Sequence, residues 1–347
     1  MKKYGLPYKG SKSKIVDKLL TAVPDAVNFY DLFAGGCAVT HAVLLSGRFA
    51  NVYANDIDPR GVTLFRDAVN GKYRDERRWI SREDFFANKD TDGYIGLCWS
   101  FGNNGRDYLY SRKIEPYKKA CHYAIVLNDF SLLKELCPEV CDACIAALDG
   151  VTDIQERRMR FGPAVVKWLK AYGTAELVES NPLYSSCHVK KDTKSRPKGA
   201  VRDLQRLESL ESLQRLESLE SLQSLEISSK SYDDVDIKPN SVVYCDLPYK
   251  GTNKYSKSGF DHGRFYDWAC RQKELVLVSE YGMPSDRFTC VWQTAHTQSL
   301  CATKTSAVIE RLFVPKRQLG MYRRMMDGRP LSAVFRPVQG SFNFAVR

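Results

Sequence analysis

The sequence predicts an α/β protein built on an open, largely parallel sheet, and three observations carry this. The run Val242-Val243-Tyr244-Cys245 is short and apolar and stops at Asp246-Leu247-Pro248, as a buried strand does where proline cannot continue a ladder. Val27-Asn28-Phe29-Tyr30-Asp31 leads through Gly35-Gly36 into Cys37-Ala38-Val39-Thr40, which reads as strand, tight turn and helix. Leu275-Val276-Leu277-Val278-Ser279 is continuously apolar, the mark of a strand covered on both faces.

A chain of 347 residues allows one large domain or two modest ones with a sizeable core. With 44% hydrophobic and 27% charged residues it has ordinary globular composition, and its net charge of +11 favours a polyanionic partner, nucleic acid first. The eleven cysteines are odd in number in a long chain, and Met1-Lys2-Lys3-Tyr4 runs straight into folded-looking sequence. Reduced thiols in a cytoplasmic setting are therefore expected rather than a disulfide framework. No apolar run approaches the ~20 residues of a membrane helix, so no membrane partner is expected.

In order, Tyr4-Gly5-Leu6-Pro7-Tyr8-Lys9-Gly10-Ser11-Lys12 is a Gly/Pro loop that feeds a helix start. Backbone amides and a lysine can meet an anion there, and a basic surface loop explains the same residues. The Gly35-Gly36 turn lets the backbone approach a ligand with no Cβ in the way, but it is also an ordinary turn. It is not the full dinucleotide fingerprint and has no phosphate-loop lysine, so neither NAD nor ATP is supported. Asn51–Asp58 is a second strand ending in acid. Asp58-Pro59 explains itself as the cap and first residue of the next helix. Asp56 has no such explanation and is the candidate for ribose hydroxyls.

Residues 79–86 and 94–101 are expected to add a strand, with 102–108 as a polar Asn/Arg loop at its end. From about 113 to 175 the pattern is helical. Cys137, Cys141 and Cys144 fall on one helix face, where core packing is favoured over zinc because a fourth ligand at suitable spacing is missing. Arg157, Arg158, Arg160, Lys167 and Lys170, interleaved with Trp168, Tyr172 and Tyr184, fit a nucleic-acid face or a solvated basic surface. Residues 206–214 repeat identically at 215–223, and a third copy begins at Ser224. Leucine every third residue would drift around a helix by roughly 60° per step, so the expectation is a helical spacer or oligomerisation segment. Further on, Gly263–Cys270 reads as helix, and Phe288–Trp292 and Glu310–Val314 as late, antiparallel strands.

At the tip of the Val242 strand, Asp246 offers a carboxylate, Leu247 a free carbonyl before proline, and Tyr249 a flat ring. The set suits a planar ring bearing an amino group, with two acceptors for its N–H groups and a face to stack on.

Four elements then stand in order: Pro7-Tyr8-Lys9-Gly10-Ser11-Lys12, Asp31-Leu32-Phe33-Ala34-Gly35-Gly36, Asn55-Asp56-Ile57 and Asp246-Leu247-Pro248-Tyr249. This order resembles the Dam-type DNA adenine methyltransferases, particularly phage-borne members, over roughly residues 4–110 and 240–315. The resemblance implies a Rossmann-like methyltransferase sheet, mostly parallel with an antiparallel edge strand, plus a mainly helical target-recognition insert. It implies a discontinuous catalytic domain (1–110 and 236–315), an insert at 111–202, a leucine-rich spacer at 203–227 and a basic extension at 316–347. It implies S-adenosylmethionine as cofactor, double-stranded DNA as partner and no metal. Tyr8, Lys12, Phe33, Gly35, Asp56 and Asp246 would hold the cofactor. Asp246, Leu247, Pro248 and Tyr249 would form the catalytic tetrad around an adenine flipped from the duplex. Leu247 departs from the family's usual first proline; it keeps the carbonyl and gives up the fixed φ. That departure leaves a DNA-binding relative without activity as the alternative, and tetrads of this kind also serve RNA or protein glutamine.

Overall fold

The computed structural model describes residues 3–8, 10–185, 212–216, 224–248, 260–301 and 304–328. The chain divides into two compact units, Met1–Gly71 with Leu213–Arg347, and Lys72–Ser212.

The first unit holds a seven-stranded sheet in the order β3-β2-β1-β4-β5-β7-β6. The strands are β1 (Asn28–Asp31), β2 (Asn51–Asn55), β3 (Ser224–Ser228), β4 (Ser241–Asp246), β5 (Leu275–Glu280), β6 (Phe288–Cys301) and β7 (Lys304–Pro315). β1 to β5 run parallel. β7 is antiparallel to β5, and β6 to β7. The mostly parallel sheet with an antiparallel edge is the one expected, and that edge holds two strands, β7 and β6, rather than one. Val242 to Cys245 and Leu275 to Val278 are fully buried, which is why these runs show no alternation.

Both flanks of β1 are parallel neighbours: Asp31 lies opposite Ala54 of β2 and opposite Tyr244 of β4. The chain leaves β1 towards β2 and β3 and returns to β1's other side as β4, so the strand order reverses between β1 and β4. Open α/β sheets bind ligands at the carboxyl ends beside such a reversal.

Local chemistry sets the helices that cover the sheet. The helix Pro59–Val69 starts where the Asp58 carboxylate accepts from the Arg60 N–H, with proline at its first position, as the sequence indicated. The helix His262–Arg271 is capped by Asp261. It buries Phe265, Tyr266, Trp268 and Ala269 against Tyr30, Val243, Cys245, Val276 and Val278. Leu319–Asp327 is a helix at the start of the expected basic extension. Just before it, the Gln318 Oε1 accepts from the Val276 N–H at 2.9 Å, so this segment is tied to β5. Residues 329–347 lie outside the described residues.

Two expectations change. Residues 79–101 add no strand: Arg82–Asn88 is an α-helix capped by Ser81, and Tyr94–Cys98 is a buried π-helical turn. Short apolar runs buried on all sides carry no period that separates strand from helix. Only Ser100 pairs, through an isolated antiparallel bridge to Tyr108 that closes the 102–107 loop. These residues belong to the second compact unit, Lys72–Ser212. The leucine repeat also ends differently. Its third copy, Ser224-Leu225-Glu226-Ile227-Ser228, is β3 and pairs in parallel with β2. Over these five residues apolar and polar side chains alternate, and a period of two fits a strand. Of the rest of the repeat, 212–216 forms a short helical turn that buries Leu213 and Leu216; 203–211 and 217–223 lie outside the described residues.

The second unit is helical, with a core of Ala120, Ile125, Leu133, Val140, Cys141, Cys144, Phe161, Val165 and Tyr184 among others. Cys137 caps the helix Pro138–Leu148 rather than lying within it, and it is buried with Cys141 and Cys144. Burial pushes the Cys137 thiol up to about 11, which suits a packing role. Among the described residues no group of His, Cys, Asp and Glu could hold a metal ion. Among them, too, no helix is long and apolar enough to cross a membrane. Arg157 and Tyr184, read from the sequence as part of a basic aromatic face, are interior.

Arg157 explains itself. Its guanidinium donates to the carbonyls of Ala124, Ile125 and Val151 at 2.7, 2.7 and 2.8 Å and to the Asn128 Oδ1 at 2.6 Å. It thus satisfies carbonyls in the helical turn Tyr123–Leu127 and in the loop that follows the helix Pro138–Leu148. Arg157→Ala strands those buried acceptors and should lower the stability of the protein by about 3 kcal/mol or more, read as a fall in the urea midpoint. Lys167→Ala, exposed on the same helix, should change it by less than about 0.5 kcal/mol.

Candidate active site

The carboxyl end of β1 runs into the glycine turn. Leu32 N–H donates to the Tyr244 carbonyl at 3.0 Å and Ala34 N–H to the Asn55 carbonyl at 2.9 Å, so the turn is suspended between the tips of β4 and β2. Gly35 has φ +48, and a Cβ on Gly36 would stand 2.4 Å from the Cβ of Tyr8. The glycines are needed because the N-terminal loop lies directly on them. Leu6 N–H donates to the Gly36 carbonyl at 2.7 Å, and Gly5 N–H donates to His41 Nδ1 at 2.8 Å. Burial pushes His41 down to about 4, which keeps the ring neutral and able to accept.

Asp56 closes the other side of the turn. Its Oδ2 accepts from Gly35 N–H at 2.8 Å and its Oδ1 from Asp58 N–H at 2.9 Å. Each oxygen retains a lone pair, and the residue is half-buried. Burial pushes its carboxyl up to about 6 against the pull of those two donors. Asp31, at the end of β1, accepts from Thr40 N–H and Oγ1 at 3.2 and 2.7 Å, both through Oδ2. It anchors the first turn of the helix Ala38–Ser46. Burial pushes it up to about 7, and the nearby Asp246 and Asp56 add to the shift.

The tip of β4 is tied to the N-terminal loop by an ion pair. Lys12 Nζ lies 2.9 Å from Asp246 Oδ1 and 3.4 Å from Glu310 Oε1. Lys12 is 6% exposed and Glu310 1%. Burial draws the ammonium's pKa down, but Asp246 and Glu310 outweigh it and hold the pKa above the usual lysine value. Glu310, on β7, also accepts from Ser279 Oγ at 2.7 Å, and Ser279 is the cross-strand partner of Asp246. Asp246, Ser279 and Glu310 thus line up on one face of β4, β5 and β7. Glu280, one residue on, is buried, and among the described residues its Oε2 has no hydrogen-bond partner. Burial pushes that carboxyl up to about 7.

Leu247 turns to the opposite face and is 2% exposed, packed in the core with Cys245, Phe265 and Val278. The carbonyl of Pro248 faces His262 Nε2 at 3.2 Å. Tyr249 lies outside the described residues.

Of the residues singled out from the sequence, the structure joins Lys12 to Asp246, Tyr8 to the turn at Gly35, and Gly35 to Asp56. Phe33 stands apart from these contacts. Its ring packs against Tyr232, Phe260 and Phe265, with centroids 5.6, 5.7 and 5.9 Å away. Sequence reasoning missed Asp31 as an anchor, and it missed Ser279, Glu280 and Glu310. The available signal was an acid at the edge of an apolar run, Glu280 after Leu275–Val278 and Glu310 before Leu312–Val314. The loop residues Asn104 and Arg106 are engaged locally: Asn104 Oδ1 accepts from Arg106 N–H at 2.8 Å.

Residues 8–141 match the family of D12 class N6 adenine-specific DNA methyltransferases. No curated protein matches the chain. Dependence on S-adenosylmethionine is a general property of that family, and its substrate is DNA.

The raised carboxyls give a pH test. Asp31 holds its proton in the fold up to about 7, against an ordinary aspartate value of 3.8. Between those values the unfolded chain is ionised there and the fold is not, so stability falls as pH rises, by up to about 1.4 kcal/mol per pH unit. Asp31→Asn keeps an oxygen for both Thr40 donors and removes the titration. The variant should gain on the wild type as pH rises from 4 to 7, measured as the difference in urea midpoints across that range. A constant difference would contradict the assignment.

Proposed function

We propose that this chain, residues 8–141 of which match the D12 class of N6 adenine-specific DNA methyltransferases, methylates an adenine flipped out of double-stranded DNA, using the tips of β1, β2 and β4 as its active site. The observation that carries this reading is positional. Asp56 and Asp246 end the two parallel neighbours of β1, and the glycine turn that follows β1 lies between them. A cofactor laid across that turn would reach both.

The donor set fits S-adenosylmethionine. Asp56 keeps a free lone pair on each oxygen for the ribose hydroxyls. Tyr8, packed on Gly35 and Gly36, offers a flat surface beside the turn. Phe33 and Gly35 would line the pocket, and Lys12 and Asp246 its far end. When bound, this cofactor supplies an electrophilic methyl group on a cationic sulfur.

The protein's work is positioning and electrostatics. The exocyclic amine of adenine is a poor nucleophile because its lone pair is delocalised into the ring. Asp246 and the Leu247 carbonyl accept its two N–H bonds, which favours a pyramidal nitrogen with its lone pair directed at the methyl group. Tyr249 stacks on the flipped base. As the nitrogen gains its new bond it carries a surplus proton, and a carboxylate oxygen of Asp246 stands ready to take it. Leu247 holds its carbonyl through side-chain burial, which restrains the backbone where a proline ring would otherwise do so. Target recognition is assigned to the second compact unit.

The test uses the purified full chain, duplex DNA of mixed sequence and tritium-labelled cofactor. The wild type should label adenine, and Asp246→Ala should cut the rate by about 100-fold or more while DNA binding persists. A wild-type protein that binds cofactor and DNA yet transfers no label would overturn the reading, as would labelling that survives Asp246→Ala.

A further inference from the structure

The first residue of the helix His262–Arg271 reaches back to the tip of β4. His262 Nε2 lies 3.2 Å from the Pro248 carbonyl oxygen, and its Nδ1 lies 3.1 Å from the Phe260 carbonyl oxygen. A carbonyl has no proton to give, so the ring can only donate. A neutral imidazole serves one of the two oxygens and a doubly protonated one serves both. The Phe260 contact is local, two residues away. The Pro248 contact spans 14 residues and ties the helix to the strand tip.

The ring is held for this contact. It stands edge-on to Phe260, with centroids 4.9 Å apart, and to Tyr266, 6.2 Å away. The helix that carries it is fixed to the sheet. Asp261 caps its start, and Phe265, Tyr266 and Trp268 are buried with Val243, Cys245 and Leu247. One helix therefore holds two consecutive residues of the tip, Leu247 by packing and Pro248 by a hydrogen bond.

Between these two restraints lies the Leu247 carbonyl. It sits in the rigid plane of the Leu247–Pro248 peptide, and the proline ring fixes φ on the far side of that plane. Leucine at 247 has no ring of its own, so its φ must be held by the surroundings. Burial of the Leu247 side chain restrains one end of the plane. A hydrogen bond on the Pro248 carbonyl restrains the other.

We propose that His262 is a positioning residue that, by donating from Nε2 to the Pro248 carbonyl, holds the Leu247 carbonyl oxygen where it accepts from the exocyclic amine of the target adenine. The inference rests on the reading of the β4 tip as the site of methyl transfer. His262 acts through Pro248, not on cofactor or base. It supplies from outside part of the stiffness that a proline at 247 would have built in. A misdirected acceptor leaves cofactor binding intact and slows the step in which the amine must point its lone pair at the methyl group.

The test uses the full-length protein and duplex DNA of mixed sequence. Single-turnover transfer of a tritium-labelled methyl group, and S-adenosylmethionine affinity by titration calorimetry, are measured for the wild type, His262→Phe and His262→Gln. His262→Phe keeps a ring against Phe260 and Tyr266 and removes both donors. It should slow transfer about tenfold or more while cofactor affinity changes by less than about twofold, the pattern of a misplaced reacting group. His262→Gln, whose amide N–H can take the place of Nε2–H, should recover most of the rate, a rescue that a packing role would not produce. A full rate in His262→Phe, no recovery in His262→Gln, or a loss of cofactor affinity in step with the rate overturns the role given to His262. Each of these leaves the active-site reading standing, because the wild type still transfers. If the wild type transfers no methyl group, the active-site reading fails and the role of His262 falls with it.

Discussion

A single buried ammonium ties this site together. Lys12 joins the N-terminal loop to β4 through Asp246 and to β7 through Glu310, so three segments far apart in sequence converge on one nitrogen. The interior makes this contact consequential. In water such pairs contribute little, whereas in a site this dry each unpaired charge would be expensive. The parallel register of β1, β2 and β4 brings the acids to one end of the sheet, and Lys12 lets the end of β4 stay charged.

The glycine turn depends on the same convergence. Two of its hydrogen bonds run outward, to Asp56 on one side and, from Leu32, to Tyr244 on the other. Its upper surface is occupied by Tyr8. The turn has its own bond, from Cys37 N–H to the Ala34 carbonyl at 2.6 Å, and is held further by these neighbours; glycine is required because they leave no room for a Cβ. Asp31, Asp56 and Glu280 lie nearby with their pKa values pushed up by burial. A methyl donor that carries positive charge is well matched to a place where acids are crowded; a nucleotide phosphate is not. This chemistry agrees with the match of residues 8–141 to the D12 class of adenine-specific DNA methyltransferases.

The second unit shows another use of a buried cation. Arg157 spends its donors on backbone carbonyls of a helical turn and of the loop after a helix, and so belongs to the architecture of the unit rather than to a basic surface. Lys12 and Arg157 look alike in a sequence, as basic residues in a basic protein. Their partners separate them: carboxylates at a strand tip in one case, main-chain carbonyls in the other.

The sequence by itself determined the features whose physics is local. Asp246-Leu247-Pro248 ends a strand because proline has no amide. Asp58-Pro59 starts a helix because a carboxylate caps free N–H groups, and the apolar runs at β4 and β5, short and rich in valine, read as strands buried on both faces. The acids Asp56 and Asp246 were legible because each follows such a strand. Tertiary structure alone decided the rest. Residues 94–98 became a helical turn because an apolar run buried all round has no period to declare itself, and the third copy of the leucine repeat became β3 because an edge of β2 was there to pair with it. Glu310 and Ser279 were invisible as site residues because what gives them a role is proximity to Lys12, and proximity is set by strand order and register, which no stretch of neighbouring residues encodes.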